Sequence, residues 1–559
     1  MWLINTRTHQ LEFVNEPEEY TYAILSHVWE DEEVSFQDFQ TPGKANKKKG
    51  LDKIIRTCQL AASRDLRYAW VDTCCIDKSS SADLSEAINS MFKLYMNSAV
   101  CFVFLSDLPS ESSFEDHFLR CKWLTRGWTL QEIVAPRAAE FYDAKWEFRG
   151  RKPELNTFLA SVTKIDYAVL CDSQAMFEVP VARRMSWASM RETTRVEDKA
   201  YCLLGIFGVS MPMLYGEGPK AFMRLQEEIA KESSDLSLFA WTALPPSLIP
   251  EGLIQQSYRG IFARSPKEFA HAHHLKPWVK DAIIDTELAI TNRGLRIETA
   301  LISVPGTTDD LVLNLGVSER DDWPTNRADG WVGVYLAKTA NGYVRSKPHS
   351  LFRAEPQMRR YRGDSLVYIR KDLRTSESER VENRFRGAIC ANFSKAPCKI
   401  LGAVPQQLWD NNRNLFLSQG QGINAYILLR YGEAENYGWS TQFIVAFSTM
   451  DEPLCYIISD QHPLFKRVHR FMDTTREISY YVSADYLRMQ FLSGRVSGHS
   501  SPAFCSIRRP QSNSVINFQA EIKPHIFQNQ ACFSLELILE QAILDSPVNT
   551  RGISSMNLC

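Results

Sequence analysis

Short apolar runs alternate with helix-like segments over the first 150 residues. Runs rich in β-branched and aromatic residues predict four buried strands, at residues 22–29, 68–72, 99–105 and 139–142. Between them, apolar residues recur every three or four positions in residues 50–66 and again from Asp83 onward, which predicts two amphipathic helices, the second capped by Asp83. This alternation of strand and helix predicts an open, parallel α/β sheet.

Polar side chains stand where the first two predicted strands end. Ser26, His27 and Trp29 close the first strand, and Asp72 closes the second. Ligands of open α/β sheets bind beyond the carboxyl ends of the strands. We therefore expect these four side chains to converge on one rim and to form a binding site.

Residues 123–134 predict a short, strongly apolar helix. Thr125 is its expected N-cap, and Pro136 is expected to end it. Trp128 and Glu132 are four positions apart and therefore share a face. A buried Glu132 must be paired, hydrogen-bonded or protonated, so it is either a structural group or a working group.

The texture of the chain changes twice after the α/β region. We assign residues 1–150 to the α/β core and residues 151–242 to a mainly helical extension. Three prolines mark residues 243–250 as a linker. Residues 251–545 carry β-type runs between polar turns, which predicts one or two β-rich, sandwich-like domains, and residues 546–559 are expected to form a flexible tail.

Composition excludes several classes of function. The 559 residues contain 64 basic and 66 acidic side chains, a net charge of −2, which argues against a nucleic-acid-binding surface. Neither a P-loop nor a Gly-rich phosphate fingerprint is present. The 13 cysteines are scattered without the spacing of a zinc site, so we expect reduced thiols and no bound metal. With no signal peptide and no apolar run long enough to span a bilayer, we expect a cytoplasmic protein without a membrane span.

Several stretches resemble the heterokaryon incompatibility (HET) domain of filamentous fungi. The stretches are residues 22–29, 68–78 and 123–132, followed by 183–188, 194–207 and 213–218. The resemblance implies a role in nonself recognition and programmed cell death. It also implies self-association or binding to an incompatibility partner.

The order of elements is also similar to that of Toll/interleukin-1 receptor (TIR) domains, which have a flavodoxin-like open parallel sheet. In plant-type TIR domains the catalytic glutamate follows a tryptophan by four positions on the helix after the third strand, as Glu132 follows Trp128 here. The resemblance implies that Glu132 hydrolyses the bond between nicotinamide and ribose in NAD, which is then a substrate and not a cofactor. The residues expected to hold the nucleotide are Ser26, His27, Trp29, Asp72 and Trp128.

Two other readings stay open at this point. In the first, the rim is a non-enzymatic signalling or binding module that relays assembly, and Glu132 is a structural group. In the second, Cys74 forms a cysteine-hydrolase trio with His27 and Asp72.

Overall fold

A computed structural model describes residues 1–41, 43–245, 247, 256–277, 287–304, 310–319, 330–354, 366–418, 422–432, 440–449, 453–474, 503–508 and 514–543. The N-terminal region contains one seven-stranded sheet. Its strands are β1 (Trp2–Asn5), β2 (Leu11–Phe13), β3 (Tyr22–His27), β4 (Tyr68–Trp70), β5 (Val100–Phe104), β6 (Ala139–Tyr142) and β7 (Phe148–Arg151). The helices packed with it are α1 (Phe36–Gln40), α2 (Leu51–Ala62), α3 (Ser81–Asn97), α4 (Phe114–Phe118), α5 (Lys122–Thr125) and α6 (Thr129–Val134).

The centre of this sheet is parallel and its edges are antiparallel. The strand order is β2-β1-β4-β3-β5-β6-β7. Strands β4, β3, β5 and β6 run parallel, whereas β1, β2 and β7 pair antiparallel to their neighbours. The predicted α/β sheet is confirmed in these four central strands, and the finer TIR-like or flavodoxin-like assignment stays a prediction. The strand order reverses between β3 and β5, the point where doubly wound sheets bind ligands.

One local expectation in this region was wrong, and three edge strands were not predicted. The edge strands β1, β2 and β7 were not predicted, because each is only three or four residues long and β2 and β7 are largely exposed. Helix α3 begins at Ser81, and its cap is Ser80, whose hydroxyl accepts the Asp83 N–H at 3.2 Å. Asp83 therefore lies inside the first turn, where its negative charge interacts favourably with the positive end of the helix dipole.

Residues 152–232 are mainly helical, as expected. The helices are α7 (Lys152–Thr163), α8 (Tyr167–Cys171), α9 (Val181–Ser186), α10 (Asp198–Tyr201), α11 (Leu204–Phe207) and α12 (Lys220–Glu232). The stretch 185–207 is broken into short helices, and Met190, which its spacing places inward, is 79% exposed. Short 3-10 helices span Pro17–Glu19, Ala45–Lys47, Ser173–Glu178, Leu236–Phe239 and Pro266–His274.

The C-terminal half is β-rich, as predicted. A ten-stranded sheet contains β8 (Tyr258–Arg259), β9 (Lys276–Pro277), β10 (Leu288–Thr291), β11 (Gly294–Glu298), β12 (Ile302–Ser303), β13 (Leu311–Ser318), β14 (Trp331–Thr339), β15 (Gly342–Ser346), β16 (Phe352–Arg353) and β17 (Leu366–Ile369). A six-stranded sheet contains β18 (Ile389–Asn392), β20 (Trp409–Asp410), β21 (Leu415–Phe416), β25 (Ala503–Arg508), β26 (Ser514–Phe527) and β27 (Gln530–Ile543). A four-stranded sheet contains β19 (Cys398–Val404), β22 (Asn424–Tyr431), β23 (Thr441–Ser448) and β24 (Leu454–Ser459). Helices α13 (Thr375–Glu382) and α14 (Pro463–Thr474) also lie within the described residues of this half.

The six- and four-stranded sheets share a buried core, as the layers of a sandwich do. Along β22, Ile427 and Leu429 belong to the core between the sheets, whereas Tyr426 and Leu428 pack with Phe465 of α14 on the other face. This alternation follows from the two-residue period of a strand. The four-stranded sheet is thus covered on both faces.

One hydrophobic core runs from the N-terminal sheet into the ten-stranded sheet. It includes Leu3 of β1, Trp241 and Ile369 of β17. The expected domain boundaries stay predictions, and half of the predicted linker and the whole predicted tail lie outside the described residues. Among the helices of the described ranges, none has the length and apolar character that a bilayer crossing requires.

Candidate functional site

Helix α6 carries Glu132 at the carboxyl side of the parallel strands. The predicted helix is split: Thr125 ends α5 and is not a cap, and α6 starts after Trp128 without a side-chain cap. Thr129 instead ties the break together, because its hydroxyl donates to the Trp123 carbonyl at 2.5 Å. The helix ends at Val134, before Pro136, as expected.

A buried hydrogen-bond chain leads from an indole to Glu132. The Trp123 N–H donates to Ser26 Oγ at 2.7 Å, and Ser26 Oγ donates to Glu132 Oε2 at 2.5 Å. An indole N–H can only donate, so it fixes Ser26 as its acceptor and turns the Ser26 proton toward the carboxyl. Trp123 and Ser26 are fully buried, and Glu132 is 6% exposed.

This environment favours the protonated form of Glu132. Burial raises the pKa of Glu132 to about 8, the nearby Asp72 charge adds to the rise, and the Ser26 hydrogen bond and the charges of Arg191 and Arg126 oppose it. Since no cation touches the carboxyl among the described contacts, desolvation dominates. A carboxylic acid with a pKa near neutrality is the kind of group that active sites use for proton or charge chemistry.

A second cluster of predicted residues surrounds Asp72 on the rim. Asp72 binds His27 Nε2 at 3.0 Å through Oδ1 and accepts the Trp29 indole N–H at 2.7 Å through Oδ2. The Lys78 ammonium lies 3.5 Å from the centroid of the Trp29 ring, which is 45% exposed. Burial alone would raise the pKa of Asp72, but His27, Lys78 and the Trp29 N–H lower it below its ordinary value. The rim thus combines a fixed carboxylate, a cation and an exposed aromatic face.

Trp128 belongs to a different polar group. Its indole N–H donates to Asp198 Oδ2 at 3.3 Å, and Tyr215 donates to the other Asp198 oxygen at 3.0 Å. The Arg195 guanidinium covers the Tyr215 ring at 4.4 Å. Trp123, and not Trp128, is the indole linked to Glu132, through Ser26. His27 and Trp29 bind Asp72 instead, and Trp128 is directed toward the helical extension.

The helical extension also supports α6 from behind. The buried Arg191 donates to the Arg126 carbonyl and to Thr129 Oγ1, both at 2.9 Å. Gly127 packs directly against the backbone at Glu192 and Thr193. Its N–H donates to the Glu192 carbonyl at 2.9 Å, and a Cβ at position 127 would overlap the Thr193 methyl group. A side chain at position 127 would therefore push the supporting segment away.

The Cys74 trio finds no support in the geometry. The Cys74 thiol is buried and donates to the Val71 carbonyl at 3.8 Å, whereas His27 is bound to Asp72. Burial raises the pKa of this thiol well above its ordinary value, so the nucleophilic thiolate is disfavoured.

Sequence reasoning missed three residues of this region: Trp123, Arg191 and Lys78. Each lies inside or next to a stretch that resembles the HET domain, but no spacing rule connects any of them to Glu132 or Trp29. Contacts that span 97 residues, such as that between Ser26 and Trp123, follow from the packing of the strands and not from a local pattern.

Comparisons with known proteins identify the family of this region. Residues 22–116 match the family model described as Heterokaryon incompatibility protein (HET), and residues 220–291 match one described as Domain of unknown function (DUF8212). A curated relative, Vegetative incompatibility protein HET-E-1 from Podospora anserina, is 45% identical over 227 residues. That match covers 39% of this chain and 16% of the relative, so the chain spans a small part of that protein's length. No solved structure matches the chain.

The chain therefore carries a domain of the heterokaryon incompatibility family. The range matched by the family model contains Ser26, His27, Trp29 and Asp72 and ends before Trp123. Strands β3 to β5 thus come from the matched range, and the helix that bears Glu132 follows it.

Proposed function

We propose that this protein acts in fungal vegetative incompatibility and that it kills cells by hydrolysing NAD at the Glu132 site. The match to the HET family and the incompatibility protein of Podospora anserina support the biological role. One observation carries the chemistry: Glu132 is buried at the carboxyl edge of a parallel sheet, oriented by Ser26, with a pKa of about 8.

The proposed reaction needs one carboxylate. The bond between the ribose C1′ and the nicotinamide nitrogen breaks, and its electron pair leaves with the neutral nicotinamide. Water then bonds to C1′ and releases a proton, which gives ADP-ribose. Because the leaving group departs from a cationic ring, it needs no protonation, unlike the leaving oxygen of ordinary glycosides. The Glu132 carboxylate would stabilise the positive charge that develops at C1′.

The rim residues have matching roles in this proposal. The exposed Trp29 ring offers a stacking surface for a base, and Lys78 beside it offers charge for a phosphate. Asp72 fixes Trp29 through the indole N–H and can accept hydrogen bonds from ribose hydroxyls. Since Glu132 is almost wholly inside the protein, the nucleotide reaches it only after the surrounding segments open, and we expect turnover to depend on an activating event.

The test is NAD consumption and nicotinamide release by the purified full chain. We expect Glu132→Gln to abolish release while the matched variant Glu140→Gln, at a buried glutamate on β6, retains it. Since the carboxylate form is the one that acts, release should rise with pH, reach half of its maximum near pH 8 and level off about one pH unit higher. Equal release by wild type and Glu132→Gln would refute the catalytic role.

A second candidate function rests on the same hydrogen-bond chain. Ser26 is fully buried and bridges Trp123 and Glu132, as expected for a structural core in a protein that binds and assembles but does not catalyse. In that case the rim binds a nucleotide, a second copy or an incompatibility partner, and Glu132→Gln, which imitates the protonated acid, leaves cell killing intact. Killing by Glu132→Gln together with absent NAD loss would establish this alternative.

A further inference from the structure

Three soft metal-ligating side chains meet in the six-stranded sheet, far from the Glu132 site. They are Cys390 on β18, His525 on β26 and Cys532 on β27. Their ligand atoms all lie within 4.8 Å of one another. Among the described residues, this is the one group of three or more histidines, cysteines or acids whose ligand atoms lie close enough to hold a metal ion.

The strand register places these side chains on one face of three neighbouring strands. His525 and Cys532 are directly opposite each other in the antiparallel β26–β27 pair. Cys390 is opposite Ser534 in the parallel β18–β27 pair, and Ser534 shares its face with Cys532, two positions earlier. The arrangement is therefore built into regular sheet pairing and does not depend on a loop.

We propose that Cys390, Cys532 and His525 bind a Zn²⁺ ion. Two cysteine sulfurs and one imidazole are a common ligand set of zinc with an open fourth position. Zinc bonds of about 2.3 Å to sulfur and about 2.0 Å to nitrogen bring ligand atoms to within roughly 4 Å of each other. Small side-chain rotations from the present positions are enough to reach that geometry.

The surroundings suit a partly enclosed thiolate site. Cys532 is buried, Cys390 is half-buried against an apolar cluster that includes Phe385 and Leu415, and His525 faces solvent. Zinc binds cysteine as the thiolate, and Cys390 and Cys532 are free thiols in the metal-free chain. Binding of Zn²⁺ would form two Zn–S bonds and release two protons, which makes the affinity rise with pH.

Two of the three proposed ligands line a cavity. His525 and Cys532 line a surface cavity of about 950 Å³, together with Arg386, Gly387 and Thr449. A water molecule or a ligand atom from a bound molecule can complete the coordination there. The ion would also link β18 to the β26–β27 hairpin. Cys390 is distant from His525 and Cys532 in sequence, but its strand lies beside theirs in the sheet.

The test uses the reduced full chain titrated with Zn²⁺ and, as a spectroscopic probe, Co²⁺. We expect one Zn²⁺ per chain and a rise in melting temperature with added zinc, because an ion that binds the folded state stabilises it. Cys390→Ser, Cys532→Ser and His525→Gln should each weaken binding by roughly a hundredfold. Each cysteine variant should also lose about half of the sulfur-to-cobalt charge-transfer absorption, since one of two thiolates is gone.

Cys398→Ser is the matched control. Cys398 is also a half-buried strand cysteine, on β19 of the four-stranded sheet, and its loss should leave zinc affinity unchanged. Circular dichroism of every variant checks that the fold is intact. Absence of zinc binding by the wild type, equal binding by the three ligand variants, or a Cys390–Cys532 disulfide with no zinc uptake after reduction would each overturn the proposal.

Discussion

Two buried carboxyl groups next to the N-terminal sheet differ in the hydrogen-bond donors around them. Asp143 directly follows β6, is 0% exposed, and accepts the Lys145 N–H at 2.9 Å, the Glu147 N–H at 3.0 Å and Arg149 Nη1 at 3.1 Å. Glu132 on α6 is nearly as buried, but its hydrogen-bond partners are neutral hydroxyl groups, those of Ser26 at 2.5 Å and of Tyr95.

The number and kind of donors decides the charge of each group. Burial alone raises the pKa of both acids, but the backbone N–H groups and Arg149 lower the pKa of Asp143 below its ordinary value. Glu132 has no comparable compensation, and its pKa rises to about 8. Asp143 is therefore a structural anion, whereas Glu132 is a carboxylic acid that can gain and lose its proton near neutral pH.

The largest effect is expected from removing the structural anion. Asp143→Ala should lower the free energy of unfolding by about 3 kcal/mol or more, because two backbone N–H groups and the Arg149 charge lose their partner. Urea denaturation measures this loss. Asp143→Asn keeps an acceptor for the backbone N–H groups and should lower the free energy of unfolding by less. A loss below about 1 kcal/mol in Asp143→Ala would show that these hydrogen bonds do not stabilise the fold as proposed.

The next effect is a pH dependence with opposite signs for the two acids. Glu132 binds its proton more tightly when folded, so its contribution is complete below pH 4.5 and is lost as pH rises toward about 8. The loss is on the order of a few kcal/mol. Asp143, with a lowered pKa, contributes above its unfolded pKa and loses that contribution as pH falls through its folded pKa.

Unfolding free energies at several pH values separate the two contributions. Glu132→Gln should remove the decline between pH 4.5 and pH 8 and leave the acid-side decline in place. If wild type and Glu132→Gln show the same pH dependence in that window, the raised pKa of Glu132 is wrong.

An intermediate effect is expected at Ser26, which donates to Glu132. Ser26→Ala leaves the buried Trp123 N–H without its acceptor and removes the Ser26 hydrogen bond to Glu132, so we expect a loss of about 1–3 kcal/mol and a higher pKa for Glu132. The control is Ser98→Ala, whose hydroxyl bonds to the Tyr95 carbonyl of its own helix and should matter less. Equal losses in the two variants would mean that the Ser26 bridge has no special weight.

The smallest effect is expected at Trp128. Trp128→Phe keeps an aromatic ring but removes the 3.3 Å hydrogen bond to Asp198, which should cost about 0.5–1.5 kcal/mol in thermal or urea unfolding. Because Trp128 points toward the helical extension, the pKa of Glu132 should stay unchanged. A clear shift of the Glu132 titration in this variant would place Trp128 in the same cluster after all.

Local patterns predicted the central elements because their physical causes are local. The all-apolar run that forms β5 is buried on both faces, and the helical spacing of residues 50–66 coincides with α2 (Leu51–Ala62). The edge strands β1, β2 and β7 were missed because short edge strands carry little periodic signal and owe their pairing to neighbours far along the chain.

The candidate site was predicted in its parts but not in its connections. Strand ends placed Ser26, His27, Trp29 and Asp72 on one rim, because parallel strands end at the same edge of a sheet. Which indole meets Ser26, and whether Glu132 has a cation beside it, depend on how α5 and α6 turn relative to β3. With the chain broken between these two helices, Trp123 is the indole that binds Ser26, and Glu132 has no ion-pair partner among the described contacts.

The sequence by itself determined the alternation of strands and helices, the rim at the strand ends and the position of Glu132 in an apolar helix, because hydrophobic period and capping chemistry act over a few residues. Tertiary structure alone decided the proton affinity of Glu132, the partner of Trp128 and the meeting of Cys390, His525 and Cys532. Desolvation and side-chain contact depend on groups brought together from distant parts of the chain, and no local pattern records them.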